Sequence, residues 1–178
     1  MGQYYKPVLV QFGEVKVFDR TVKPECEYVM AKLMEHSWWQ NPTCNAIAKM
    51  LYHKRGRLYW CGDYAEDGFS KMVWNWEYDT SLENPDGFTL DRKYIVNWTK
   101  KQYINCDEYK ENYKDKDGWT THPLPLLTAQ GNGLGGGDYY SGYIHYDEVG
   151  IWAGDEISIE DSAPIDFEKV DIGFREDN

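Results

Sequence analysis

The chain has 178 residues, 42% of them hydrophobic and 16% aromatic, and sets 19 Lys and Arg against 30 Asp and Glu for a net charge of −11. Enough apolar residues are present to close a core, which excludes wholesale disorder, and no run of about 18 apolar residues exists to cross a bilayer as a helix. The acidic balance also disfavours sequence-independent binding to DNA or RNA, which needs surplus Lys and Arg.

The charge is unevenly placed. Residues 1–56 carry +3, residues 57–121 carry −4 and residues 122–178 carry −10. Such asymmetry creates a field that repels polyanions and attracts basic partners. It also serves solubility, so the charge alone does not separate a contact surface from a solvated one.

In chain order, residues 3–10 and 14–19 alternate Tyr, Val, Leu and Phe about Gly13, which predicts an opening hairpin. Leu33 to Trp39 is apolar but short, and fits either a strand or one turn of helix. A helix is expected at about 42–54. Asn41 is a good N-cap, Pro42 suits the first helical position, and Gly56 suits the stop. Ile47, Met50, Leu51 and Lys54 recur between them at three- and four-residue spacing. Arg57 to Cys61 reads as a short strand, and Trp74, Trp76 and Tyr78 alternate as if on one face of another. Asn84-Pro85-Asp86-Gly87 is a turn. Lys93–Trp98 and Lys101–Asn105 suggest a second hairpin, followed by one or two helical turns at Asp107–Tyr113. Residues 122–138 read as loop, and strands are expected at 139–146, 149–153, 156–159 and 167–172. The economical architecture is a single α+β domain over residues 1–178, mainly antiparallel strands with one clear helix and short helical turns. Trp60-Cys61-Gly62-Asp63 and Trp152-Ala153-Gly154-Asp155 share a W-x-G-D pattern, read as two strand ends with core tryptophans.

Cys26, Cys44, Cys61 and Cys106 form no C-x-x-C pair and stand in no zinc-finger spacing with His36, His53, His122 or His145. No metal and no cofactor is therefore expected. Asp115-Lys116-Asp117-Gly118 hints at calcium, but the full twelve-residue pattern fails. The N-terminal residues lack a basic segment followed by an apolar one, so no signal peptide is visible and a cytoplasmic protein with reduced thiols is expected.

The most unusual segment runs from His122 to Asp138. Gly131, Gly133 and Gly136 satisfy a bare G-x-G-x-x-G, yet Pro123 and Pro125 break the strand that should precede it and no helix is expected after it. A P-loop fails because no Gly-Lys-Ser/Thr occurs. Gly131, Gly133, Gly135, Gly136 and Gly137 nevertheless let the backbone approach another group closely. That group can be a ligand, a partner surface or the protein's own sheet. His122 and Asp138 bracket the loop as a base and its orienter or as two metal ligands, or His122 is satisfied by backbone beside a Pro turn. Glu35-His36-Ser37 offers another histidine, and Asp63 heads a group of carboxylates with Glu66 and Asp67. Aligned Trp74 and Trp76, or Tyr139 and Tyr143, permit stacking on a sugar.

Lys32 to Trp38, Arg57 to Tyr64, Tyr94 to Ile104 and the His122–Asp138 segment together resemble a group of bacterial and phage hypothetical proteins. The resemblance spans most of the chain, with His-Pro-Leu-Pro-Leu-Leu-Thr-Ala and the glycines as its most specific part. No activity is established for that group, so the resemblance implies no mechanism.

Two functions are expected, in order. The first is an acidic intracellular macromolecule-binding protein, an inhibitor of the immunity or phage anti-defence type. Its partner is a basic protein face, one that otherwise holds nucleic acid, and its contacts are Asp155, Glu156, Glu160 and Asp161 beside the glycine loop. The second is a small enzyme acting on a nucleotide-like or phosphorylated substrate under that loop, with His36, Asp63, His122 and Asp138 converging on one pocket.

Overall fold

The computed structural model describes residues 1–18, 32–77, 80–140 and 142–175. Strands β1 (Tyr5–Gln11) and β2 (Glu14–Val17) form the expected antiparallel hairpin. Gly13 in its turn has φ +78°, a region that side chains disfavour. The ambiguous segment is helical, as α1 (Leu33–His36).

Helix α2 (Pro42–Met50) starts where the capping chemistry requires: the Asn41 side chain accepts the N–H groups of Thr43 and Cys44. It ends four residues before the expected 54. Leu51 caps it, Tyr52 bridges to Ile159, and His53 turns to φ +55° to donate its N–H to the Ile159 carbonyl at 3.0 Å. Sheet pairing overrides local helix preference there.

Strand β3 (Gly56–Gly62) follows as read, but the next expectation is overturned. Residues 68–74 form helix α3 (Gly68–Trp74), with the Asp67 side chain accepting the Ser70 N–H as its cap. Trp74 closes that helix and Trp76 lies beyond it, so the two rings do not share a strand face; Tyr78 lies outside the described residues. Both tryptophans are half-buried. Trp74 Nε1 donates to the Cys61 carbonyl at 3.1 Å, and the Lys6 ammonium stands 4.7 Å from its ring centroid.

The second hairpin is β4 (Tyr94–Asn97) with β5 (Gln102–Asn105), leading into α4 (Cys106–Asn112) capped by Asn105. Within the segment read as loop lie α5 (Pro123–Leu127) and β6 (Ala129–Gln130). Among the described residues of 139–146 and 149–153 there is no strand. The described residues there include a single 3-10 turn at Tyr146–Glu148, and Gly142 and Gly150 have positive φ. Their aromatic content serves a different end, since Tyr139 and Trp152 are fully buried. Strand β7 (Glu156–Glu160) matches expectation, and β8 shrinks to Glu168–Lys169.

The described strands make one sheet in the order β2-β1-β3-β7-β4-β5-β8, with β6 also pairing β3. All pairs are antiparallel except β3–β6 and β5–β8. The architecture is α+β and mainly antiparallel, as expected. Side-chain alternation sorts the faces. Tyr5 and Leu9 of β1 with Leu58 and Trp60 of β3 join the large core, which also takes in Ile47, Leu124, Leu127 and Trp152. Val8 and Cys61 face the other way, into a small cluster with Val73 of α3. Trp60 and Trp152 are both core residues, as the shared W-x-G-D pattern suggested. Among the described residues no helix is long and apolar enough to cross a membrane.

Candidate functional site

The glycine-rich loop closes on the protein itself. Asp138 is 1% exposed, and its Oδ2 accepts backbone N–H groups from Gly133 at 2.8 Å, Leu134 at 3.0 Å and Gly135 at 3.1 Å. Its Oδ1 accepts the Tyr5 hydroxyl at 2.8 Å. Successive N–H groups converging on one point form an anion nest, and here a carboxylate of the same chain occupies it. Burial, and then the neighbouring Asp138 carboxylate, push the Tyr5 hydroxyl far above its ordinary pKa. The main chain completes the closure: Gln3 N–H donates to the Gly136 carbonyl at 2.9 Å, and Gly136 N–H to the Met1 carbonyl at 3.0 Å. A Cβ at Gly135 would stand 2.5 Å from Gln3 Cβ, and one at Gly137 would meet the Lys32 side chain at 2.7 Å. These glycines permit close approach to the protein's own N-terminal residues and to Lys32.

The other acid–base candidates also hold local structure. His122 is fully buried as the cap of α5, its Nδ1 accepting the Leu124 N–H at 3.4 Å. Burial pulls its pKa down to about 3, so the ring is neutral at neutral pH and its proton sits on Nε2, which has no hydrogen-bond partner among the described residues. His36 Nδ1 accepts the Lys32 N–H at 3.1 Å, and Asp63 Oδ1 accepts the Tyr4 N–H at 3.0 Å. The His36 and His122 segments are joined through main chain, the His122 N–H donating to the Ser37 carbonyl at 2.6 Å. Among the described residues no three His, Cys, Asp or Glu side chains gather to hold a metal ion. Asp115, at the head of the calcium-like run, accepts the N–H groups of Asp117 and Trp119.

Three of the four acidic contact candidates have intramolecular side-chain partners. Asp155 pairs with Lys100 at 2.9 Å and accepts Asn97 Nδ2 at 2.8 Å. Glu160 meets His53 at 2.8 Å. Asp161 accepts the Tyr52 hydroxyl at 2.6 Å and pairs with His53 at 3.1 Å and Lys93 at 3.2 Å. The Tyr52 and Lys93 hydrogen bonds hold the Asp161 carboxyl below its usual pKa, and the Glu160 hydrogen bond holds His53 above its own. Glu156 is half-buried in β7, its N–H donating to Thr99 Oγ1. Asp147, Asp166, Glu168 and Asp171 differ: they are exposed, and among the described residues no Lys or Arg pairs with them.

Two of those carboxylates lie at the β8 edge, beside a cleft of about 280 Å³. One wall is the end of β5 and a face of α4, where Asn105, Glu108, Tyr109 and Asn112 recur at three- and four-residue spacing. The other wall is residues 169–172. Across it Lys169 pairs with Glu108 at 2.7 Å, and the Tyr113 hydroxyl donates to Asp171 Oδ1 at 2.6 Å. The same hydroxyl lies 3.3 Å from His145 Nε2, while His145 Nδ1 pairs with Glu148. Burial and the Asp171 hydrogen bond raise the Tyr113 pKa. A second cleft, of about 240 Å³, is lined by Trp38, Trp39, Trp119 and Lys110. None of His36, Asp63, His122 and Asp138 lines either cleft.

The residues of the first cleft escaped sequence reading because they are far apart: 58 positions separate Tyr113 from Asp171, and 61 separate Glu108 from Lys169. The one local signal is the face of α4, Asn105-x-x-Glu108-Tyr109-x-x-Asn112, which is polar at every position but Tyr109. No protein-family model matches the chain, and neither the curated proteins nor the solved structures supply a match.

Proposed function

We propose that the protein acts by binding a basic macromolecule, and that its contact surface is the acidic edge formed by α4, β8 and the residues around them. One observation carries this reading: the exposed carboxylates Asp166, Glu168 and Asp171 lie together in sequence at a sheet edge, with Lys169 the one exposed cation among them. Asp155, Glu160 and Asp161 contribute less, because Lys100 and Lys93 already pair with Asp155 and Asp161 and the Glu160 carboxylate is hydrogen-bonded to His53. The acid–base groups at the glycine loop support binding over turnover, since each holds a turn or a helix start. A surface of this sign would compete with nucleic-acid phosphates for a basic protein face, which is how an inhibitor of a nucleic-acid-binding partner would work. A cytoplasmic setting fits Cys44, Cys61 and Cys106, which are free and buried.

The test is calorimetric titration of an Arg- and Lys-rich peptide into the full chain at low and high salt. Binding should weaken steeply with salt. The pair Asp166→Lys, Glu168→Lys should abolish it, whereas Asp155→Asn with Glu160→Gln should weaken it only mildly. Salt-independent binding, or equal loss from the two pairs, would count against the assigned surface.

A further inference from the structure

We infer that the cleft between α4 and residues 169–172 receives an arginine side chain of the basic partner; this rests on the reading just given and adds the group that anchors it. The cleft is a built concavity of about 280 Å³ with carboxylates on opposing walls, Glu108 from α4 and Asp171 from the strand end. Those two carboxylates are matched by one cation, Lys169, so the lining is one positive charge short. Lys169 also shows what the site accepts: its ammonium is held on Glu108 at 2.7 Å, at the rim.

Guanidinium fits the remaining acceptors better than a second ammonium. Asp171 gives Oδ1 to the Tyr113 hydroxyl and leaves Oδ2 without a partner among the described residues. The Asn112 side chain is exposed at the same cleft. These acceptors are spread over two walls. A planar fork of five N–H donors spans such a set, whereas an ammonium presents three donors from one point. Arginine anchored in a pocket at the centre of a polar rim is also a common source of concentrated binding energy. The rim here is Glu168 and Asp166, so a basic chain lying along β8 would place one residue inward and its neighbours against exposed carboxylates.

The experiment titrates the isotopically labelled full chain with N-acetyl-arginine amide, N-acetyl-lysine amide and N-acetyl-citrulline amide, reading backbone amide shifts. The arginine compound should give saturable shifts confined to residues 105–113 and 168–172, the lysine compound weaker ones, and the neutral citrulline compound none. Asp171→Asn should weaken arginine binding at least about tenfold, the loss of one charge-assisted hydrogen bond. Glu108→Gln tests the opposite wall if Asp171→Asn perturbs the fold. Lys169→Gln should strengthen binding, because it frees Glu108. Shifts elsewhere, equal binding of citrulline, or weaker binding in Lys169→Gln would overturn the inference. Two failures are distinguishable: a basic peptide that still binds Asp171→Asn and Glu108→Gln at full strength removes the cleft and keeps the acidic surface. A basic peptide that does not bind the natural chain removes both.

Discussion

Asp138 and Asp171 each take a tyrosine hydroxyl, and they are used in opposite ways. Asp138 accepts from Tyr5 and from three backbone N–H groups, is sealed from solvent, and has no capacity left for anything else. Asp171 accepts from Tyr113, is exposed, and keeps one oxygen free among the described residues at the mouth of a cleft. The most conspicuous motif in the sequence therefore ends in a closed structural device, and the open chemistry lies where no motif stands. A glycine-rich loop is evidence of close backbone approach, and only the geometry says to what.

That contrast can be broken at its strongest point first. Asp138→Ala strips four donors of their acceptor, three of them backbone, and should cost about 3–5 kcal/mol in urea-induced unfolding, whereas Asp171→Ala should cost under about 1 kcal/mol. Equal costs would erase the distinction between the two sites.

His122, buried on the Asp138 side of the contrast, gives the next largest effect. Its folded pKa of about 3 lies below the unfolded value of 6.5. Above pH 6.5 both states are neutral. As pH falls the unfolded chain takes up a proton that the folded one refuses, so stability drops from about pH 6.5 down to about pH 3. The loss by pH 4 should be about 3 kcal/mol. Asn retains a capping oxygen and does not titrate, so His122→Asn should flatten the stability slope by about one proton over that window. An unchanged slope would show that the ring is not the neutral group described.

Glycine substitutions come third. Gly135→Ala drives its Cβ to 2.9 Å from the Gln3 backbone nitrogen, which has no room to yield, and should cost about 2–3 kcal/mol in thermal or urea unfolding. Gly173→Ala meets the Tyr113 ring at 2.1 Å, a side chain that can swing, so it should cost about 1–2 kcal/mol and distort the cleft at the same time. The reverse order would mean that the glycine loop is the looser of the two regions.

The smallest effect belongs to the exposed ion cluster at the other end of β7. Glu160 and Asp161 raise the pKa of His53 in the folded chain. A raised folded pKa means that this contribution is fully present below the unfolded value near 6.5 and fades as pH rises through the folded one. Glu160→Gln should bring the His53 pKa, followed by proton resonance of its ring, back toward the ordinary value with little change in unfolding midpoint.

What the sequence disclosed was local. Gly13 announced the first hairpin, Asn41-Pro42 the start of α2, and Lys93 to Asn105 the second hairpin, because each signal sits within a few residues of the structure it specifies. The helix at 68–74 was hidden by Trp74, Trp76 and Tyr78, three rings in alternation over too few residues to fix a period. Asp67 as its cap was the stronger signal. The end of α2 was unreadable because Ile159, more than a hundred positions away, decides it. The same distance hid the cleft. Asp138 was legible as a notable residue, but its nest needed Tyr5 and the loop backbone to be seen together.

The interior strand β3 carries a consequence for how the chain assembles. One edge of β3 is covered early by β1. The other is closed in three pieces: β7 at Gly56 and Arg57, the turn that donates the Gly154 N–H to the Leu58 carbonyl, and β6 at Trp60 and Cys61. All three come from the final third of the chain. Until that part has left the ribosome, the middle of the sheet presents a bare row of unpaired peptide groups, the sort of surface on which a neighbouring nascent chain can template. Closure over so long a loop is also entropically slow. The acidity of the last third then has a second use: the segment that must arrive late also repels other copies of itself.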